Sequence, residues 1–455
     1  MKKIIAVILV FLFLPVISFA KEPETISFLI SGKSASKLTD NKINTYISFP
    51  PEERITISCL GYCAIMLKWY KPAAYSVEFF DSYEKKIGFE DYDNGILNQY
   101  IKLRNTAKIN ICLPLGGSLS DIIMLSGGDE NSDTQIWDEP YNKADVLVIS
   151  AHPDDEYLYM GGTIPYCTEN GLQVTVAWMS HQKRLRQDEA LAALWAMGVG
   201  HYPEFVGFPD KLSRNYKDGA KIWGGENAVL SAIVKLYRKY KPEVVVTHDL
   251  KGEYGHGAHM ITAAMALKAA AAAADETQFT QSAREYGAWQ IKKLYLHLYH
   301  ENKIIMDWNR PLEAFGGKTA LDMAKAGYSY HKSQHVWNFH VSDTSRYSCA
   351  KFGLAFTAVG LDIEKNDFLE NIPVNSLSNY VQPKPEPTIE SAIEPVFESK
   401  AVPTQKSPPI ISAEPARQTS PDLPNNSVPI IMLVSAVLFL TAIVILIWFN
   451  RKAKR

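Results

Sequence analysis

Cysteine is scarce in this chain, with five among 455 residues, and that scarcity excludes a disulfide-built scaffold. Cys59 and Cys63 could bridge across a tight turn or sit as buried apolar residues of a strand pair; no second pair with ligand spacing exists, which argues against a structural zinc site built from thiolates. An excess of one charge is also missing. Lys and Arg total 47 against 49 Asp and Glu, a formal net charge of −2, so nothing points to a nucleic-acid partner. No repeat of 20 to 50 residues is visible, which argues against a solenoid or propeller. What is present is an apolar fraction of 47%, ample for a large core, in a chain longer than one ordinary domain.

The long apolar runs lie at the two ends. Residues 1–20 combine a basic start, a short apolar stretch and the small residues Ser18 and Ala20, the pattern of an export signal cleaved after Ala20. Residues 428–449 carry no charge, and at about 1.5 Å per residue such a helix crosses a hydrocarbon core of about 30 Å. The basic tail, residues 450–455, follows directly and should remain cytoplasmic. The expected topology is a single-pass protein of the cell membrane whose large N-terminal part faces outward. Residues 376–427, rich in Pro, Ser, Glu and Lys, read as a disordered tether.

Between signal and tether the hydrophobic period changes once. Residues 21–140 hold short alternating runs such as Arg54–Cys59, Tyr75–Phe80 and Lys108–Leu113, which predict a β-sandwich-like domain. Its aromatics, Trp69, Tyr70, Tyr75, Phe79, Phe80, Tyr83, Phe89 and Tyr92, fit a core, with a carbohydrate-stacking platform as the alternative. Residues 141–375 alternate buried strands with amphipathic helices, the signature of βαβ units and of a Rossmann-like, mostly parallel sheet with helices on both faces. Predicted strands include Val146–Ile149, Gln173–Trp178, Pro242–His248 and Leu294–Tyr299; predicted helices include Arg184–Met197, Asn227–Tyr240 and Met260–Ala274.

Two polar clusters end two of those strands. One is His152-Pro-Asp-Asp-Glu156 and the other Glu253-Tyr-Gly-His-Gly-Ala-His259. Ligand sites of open α/β sheets lie beyond the carboxyl ends of the strands. One imidazole and one carboxylate from the first cluster, with one imidazole from the second, make a three-ligand metal set that leaves a position open for water. A further carboxylate remains to act as a base. The bland reading is that the acids after the strand only cap the next helix.

Taken together, Ala151-His-Pro-Asp-Asp-Glu156 and Tyr254-Gly-His-Gly-Ala-His259 resemble the PIG-L/LmbE family of zinc-dependent N-acetylglucosaminyl deacetylases, over roughly residues 143–372. Arg186-Gln-Asp-Glu189 and Tyr330-His-Lys-Ser-Gln334 fit as supporting features. The resemblance implies one zinc ion on His152, Asp155 and His259, Asp154 as general base, His256 as a charged or proton-donating partner, and Tyr254 polarising the acyl oxygen. It makes Arg186 a candidate sugar or phosphate contact, with an ion pair to Asp188 or Glu189 as the alternative. Glu156 becomes a supporting group behind the ligands, His248 a residue able to line the site, and His331 a match to a recurrent family feature. The family often has an acid just before the last histidine; Ala258 stands there, leaving His256 without that partner. The implied activity is removal of an N-acetyl group from an amino sugar in a glycan or glycolipid. Its rivals are an idle glycan-binding protein and a zinc amidase acting on another N-acyl substrate.

Overall fold

The computed structural model describes residues 36–378, apart from 94, 128–133 and 182, and the short strand segments 29–30 and 33–34. The predicted signal, transmembrane segment and basic tail lie outside the described residues, as does the tether beyond residue 378. Among the described residues no helix is long and apolar enough to cross a membrane.

The first strands are β1 (Leu29–Ile30), β2 (Lys33–Ser34), β3 (Ile47–Phe49), β4 (Glu53–Ser58), β5 (Ala64–Lys71), β6 (Tyr75–Phe80), β7 (Lys86–Tyr92), β8 (Asn98–Lys102), β9 (Lys108–Leu113) and β10 (Gly117–Leu125). Eight of them form two antiparallel sheets in the orders β3-β10-β5-β8 and β4-β9-β6-β7. Alternate residues point inward, as in β6, where Tyr75, Val77 and Phe79 are buried. Ile55, Ile57, Val77 and Ile111 of one sheet share a core with Ile65, Leu67, Trp69 and Leu119 of the other, which makes a β-sandwich. The aromatics divide: Trp69, Tyr75 and Phe79 are core, whereas Tyr70, Tyr83 and Phe89 are exposed. All five cysteines are free thiols. Cys59 is a core residue, and the Cys63 thiol donates to the Leu125 carbonyl at 3.2 Å instead of bridging.

The α/β unit runs β11 (Val146–Ser150), α1 (Asp155–Leu158), α2 (Thr163–Glu169), β12 (Val174–Ser180), α3 (Arg184–Ala196), β13 (Glu204–Phe208), α4 (Tyr216–Ile222), α5 (Glu226–Tyr240), β14 (Val244–Thr247), α6 (Gly257–Ala272), α7 (Thr280–Tyr286), β15 (Lys293–His297), β16 (Lys303–Ile305), α8 (Ala320–Ser329) and β17 (Lys351–Thr357). Its sheet has the order β13-β12-β11-β14-β15-β17-β16. The first five strands are parallel, and β17 pairs antiparallel with β15 and β16. Residues of β11 alternate between two cores: Val146 and Val148 pack with Leu158, Leu191 and Leu321, and Leu147 and Ile149 with Val229, Ile233 and Ile261. A strand covered by helices on both faces needs an unbroken apolar run, which is why β11 reads Val-Leu-Val-Ile. With β12 and β14 on either side, β11 is central, and its carboxyl end opens beside theirs.

Candidate metal centre

The chain turns sharply where β11 ends. Asp154 caps α1 with φ 117°, a conformation that side chains rarely adopt and that costs on the order of 1–3 kcal/mol. It is held there because its N–H donates to Glu156 Oε2 at 2.9 Å, while the same oxygen accepts Trp178 Nε1 at 2.9 Å. Glu156 Oε1 lies 3.2 Å from His331 Nε2, and neither atom has a hydrogen-bond partner among the described residues. The second cluster arrives through α6, whose first residue, Gly257, packs so tightly that a Cβ would lie 2.0 Å from the Asn215 carbonyl oxygen. Only glycine fits there, and His259 follows on the first turn.

Three ligand atoms converge. His152 Nδ1 lies 2.9 Å from Asp155 Oδ2, His259 Nε2 lies 3.1 Å from that oxygen, and the two nitrogens are 3.3 Å apart. A triangle of those sides has a circumradius of about 1.8 Å, so a point about 2.0–2.2 Å from all three atoms, the span of Zn–N and Zn–O bonds, lies just off its plane. His259 Nδ1 donates to Glu253 Oε2 at 2.7 Å, which fixes the tautomer and turns Nε2 to the centre.

Two wider trios also bring ligand atoms within 4.8 Å of one another, His152 with His256 and His259, and Asp155 with His248 and His259. The second is disfavoured because His248 is engaged at both nitrogens: Nε2 accepts the Ala151 N–H at 2.8 Å and Nδ1 donates to Glu253 at 3.0 Å. His256 stands beside the centre, its ring 4.8 Å from that of His152 and 4.7 Å from that of His259, and its buried Nδ1 has no partner.

The electrostatics separate the two adjacent aspartates. Burial would raise the Asp155 carboxyl, but the charges of and hydrogen bonds to His259 and His152 outweigh it and hold the group well below the usual range. Burial likewise lowers His259, yet Asp155 and Glu253 overcome it and raise the imidazole to about 10. In the metal-free centre His259 is therefore protonated, and a metal must replace that proton. Asp154 moves the other way: burial first, then the Asp155 charge, raise it well above the usual range, and Arg186 at 3.1 Å offsets only part of that.

Residues 147–270 match the PIG-L family model, described as GlcNAc-PI de-N-acetylase. The chain is 30% identical over 184 residues to a 1D-myo-inositol 2-acetamido-2-deoxy-alpha-D-glucopyranoside deacetylase of Mycobacterium leprae, covering 34% of this chain and 59% of the relative. It is 28% identical over 183 residues to the enzyme of the same name from Geodermatophilus obscurus, covering 33% and 60%. It thus spans about three fifths of the length of these curated relatives. Among solved structures, the N,N'-diacetylchitobiose deacetylase of Pyrococcus horikoshii aligns with 43% of this chain and 72% of its own at 19% identity and a TM-score of 0.34.

Within and beside the matched residues 147–270, the expected residues fall into three places. His152, Asp155 and His259 meet at one point, and Asp154 lies directly beside them. Tyr254 rims the centre at φ 49°, its ring 5.5 Å from that of His259, with 44% of the residue exposed. Burial of its hydroxyl end, then the Asp155 and Asp154 charges, keeps the phenol protonated. Arg186 lies behind the centre. Its guanidinium donates to the Pro153 carbonyl, to Asp154 and, at 2.6 Å, to Asp210, so it grips the base instead of reaching an open pocket. Arg184, not Arg186, pairs with Asp188. At His256, expected as a charged or proton-donating partner, burial and the charges of His259 and His152 lower the pKa to about 3.

Glu253 and His297 were not among the expected site residues. Glu253, fully buried, accepts Nδ1 of His248, His259 and His297, the last at 2.6 Å, and is held ionised by those contacts against the effect of burial. Its place at the head of the second cluster was the available signal. Nothing local marked His297, which ends β15 and reaches Glu253 only through the fold.

Proposed function

We propose that this protein is a metal-dependent deacetylase that hydrolyses the N-acetyl group of an N-acetylglucosamine-type amino sugar. The observation that carries the reading is the convergence of His152 Nδ1, Asp155 Oδ2 and His259 Nε2 beside a second, oppositely tuned carboxylate. The donor set of two imidazoles and one carboxylate suits zinc. When bound, the ion supplies Lewis-acid activation of water and of the acetamide carbonyl.

The remaining work belongs to the chain. Asp154, raised in pKa and fixed by Arg186 and Glu156, takes the proton of the attacking water and returns it to the leaving amine. Protonated Tyr254 donates to the developing oxyanion from the rim. His256, neutral and with Nδ1 unpartnered, offers a hydrogen-bonding group to the acetamide. Glu253 keeps the metal-facing histidine in one tautomer.

We place the catalytic part outside the cell, anchored by residues 428–449, with an envelope glycan or glycolipid as substrate; the signal pattern and the uncharged stretch support this. The test of the activity is metal analysis of the purified protein together with acetate release from N-acetylglucosamine-containing glycans. A metal-free protein that binds glycan and releases no acetate overturns the reading in favour of a binding protein. Release from other N-acyl donors alone moves it to an amidase.

A further inference from the structure

A cleft of about 520 Å³ lies between the sandwich and the α/β unit, away from the metal ligands. Such a volume is typical of a small-molecule site. Tyr70 and Lys71 at the end of β5 form one wall; His181 after β12, Gln187 of α3, Glu204 of β13 and Lys239 of α5 contribute to the other. The walls are pinned together by a buried network. Arg184 donates to the Trp69 carbonyl at 2.7 Å and to Asn98 Oδ1, and the Tyr202 hydroxyl accepts the Leu97 N–H at 2.9 Å. The cleft is therefore fixed by the fold before any ligand arrives, which lowers the cost of binding.

Its chemistry is mixed. Tyr70, 37% exposed, stacks on Tyr46 with ring centroids 4.0 Å apart, a preset aromatic wall. Lys71 beside it and Gln187 of the other wall make no side-chain hydrogen bond among the described residues. An aromatic face in one cleft with unused donors and acceptors matches a pyranose, which has an apolar C–H face and a rim of hydroxyls. The α/β wall of the cleft is joined through the backbone to the loop that carries the metal ligands. Ser180, just before His181, donates its N–H to the Ala151 carbonyl, just before His152, at 3.0 Å. Gln187 is the neighbour in α3 of Arg186, which grips Asp154.

We infer that this interdomain cleft is an oligosaccharide subsite, in which Tyr70 and Lys71 of the sandwich hold sugar units distant from the unit being deacetylated. The inference rests on the deacetylase reading for its choice of saccharide. The experiment is calorimetric titration of the intact chain with the β-1,4-linked tetramer of N-acetylglucosamine, for the wild type, Tyr70→Ala and Lys71→Ala, alongside acetate release from tetramer and monomer. Both side chains are at the cleft rim, so the variants should fold, and circular dichroism checks this. Tetramer affinity should fall on the order of five- to tenfold in Tyr70→Ala, the scale of one lost stacking contact. The preference for tetramer over monomer in kcat/KM should fall with it. Equal tetramer affinity in all three proteins, or none at millimolar tetramer in the wild type, overturns the subsite. Absence of acetate release from either sugar with tetramer binding that still depends on Tyr70 overturns the deacetylase reading and leaves the subsite standing.

Discussion

The sandwich and the carboxyl edge of the parallel sheet are both deeply buried, yet they bury different things. Inside the sandwich lie Ile55, Ile57, Leu67, Trp69, Val77 and Ile111, and Asp121 is the one buried carboxylate there among the described residues. At the sheet edge, His152, Asp154, Asp155, Glu156, Arg186, His248, Glu253, His256, His259, His297 and His331 are all buried within one connected set of elements. Burying an ionisable group costs several kcal/mol unless it is paired, so the second arrangement is poor for stability alone. The difference separates a region that holds the fold from one that holds reactive groups in fixed positions.

Substitutions in the two regions should therefore fail in different ways. The largest effect is expected from Asp154→Asn, which should keep its metal while kcat falls by about 10²–10⁴, the range of general acid–base catalysis; parallel metal analysis and acetate-release kinetics check it, and full turnover sinks the assignment of the base. In the sandwich, Ile111→Ala should lower the unfolding free energy by about 2–5 kcal/mol in a denaturant titration and leave metal stoichiometry of the folded protein unchanged.

Acidity offers a sharper contrast. His259 stands raised to about 10, so its pairing stabilises the metal-free protein fully below the unfolded value of about 6.5 and is lost as pH rises toward 10. Metal must displace that proton, so affinity should rise about 100-fold from pH 6 to pH 8 in a competition titration with a chelator, one decade per unit for one proton. A flat profile would remove His259 from the ligand set. The smallest effect is expected from Glu253→Gln. It should weaken metal binding by about 10- to 100-fold, because the second partner of a ligating histidine orients it without touching the metal; an unchanged dissociation constant would reduce Glu253 to a packing residue.

Much of the fold was legible because its signals are local. The apolar run of β11 and the switch from alternation to helical period near residue 141 follow from which faces are covered. Helix α3 begins at Arg184 as predicted and ends at Ala196 with Met197 as its cap. Helix α6 starts three residues before the predicted Met260, because the close packing of Gly257 let the helix begin there, something propensity does not reveal. At the site, the motif residues were readable, but their partners were not. Arg186 was read as facing solvent or substrate; the fold turned it inward onto Asp154 and Asp210, since α3 runs behind the loop that follows β11.

The sequence alone determined the polar clusters after Ile149 and Thr247 and the unbroken apolar strands leading to them, because each depends on neighbours within a few residues. Only the tertiary structure decided that three ligand atoms lie within 3.3 Å of one another, that Glu253 serves three histidines, and that adjacent Asp154 and Asp155 shift in opposite directions. The reason is physical: a charge is tuned by everything packed within a few ångströms of it, and here those neighbours come from α3, α6 and β15, which are distant along the chain.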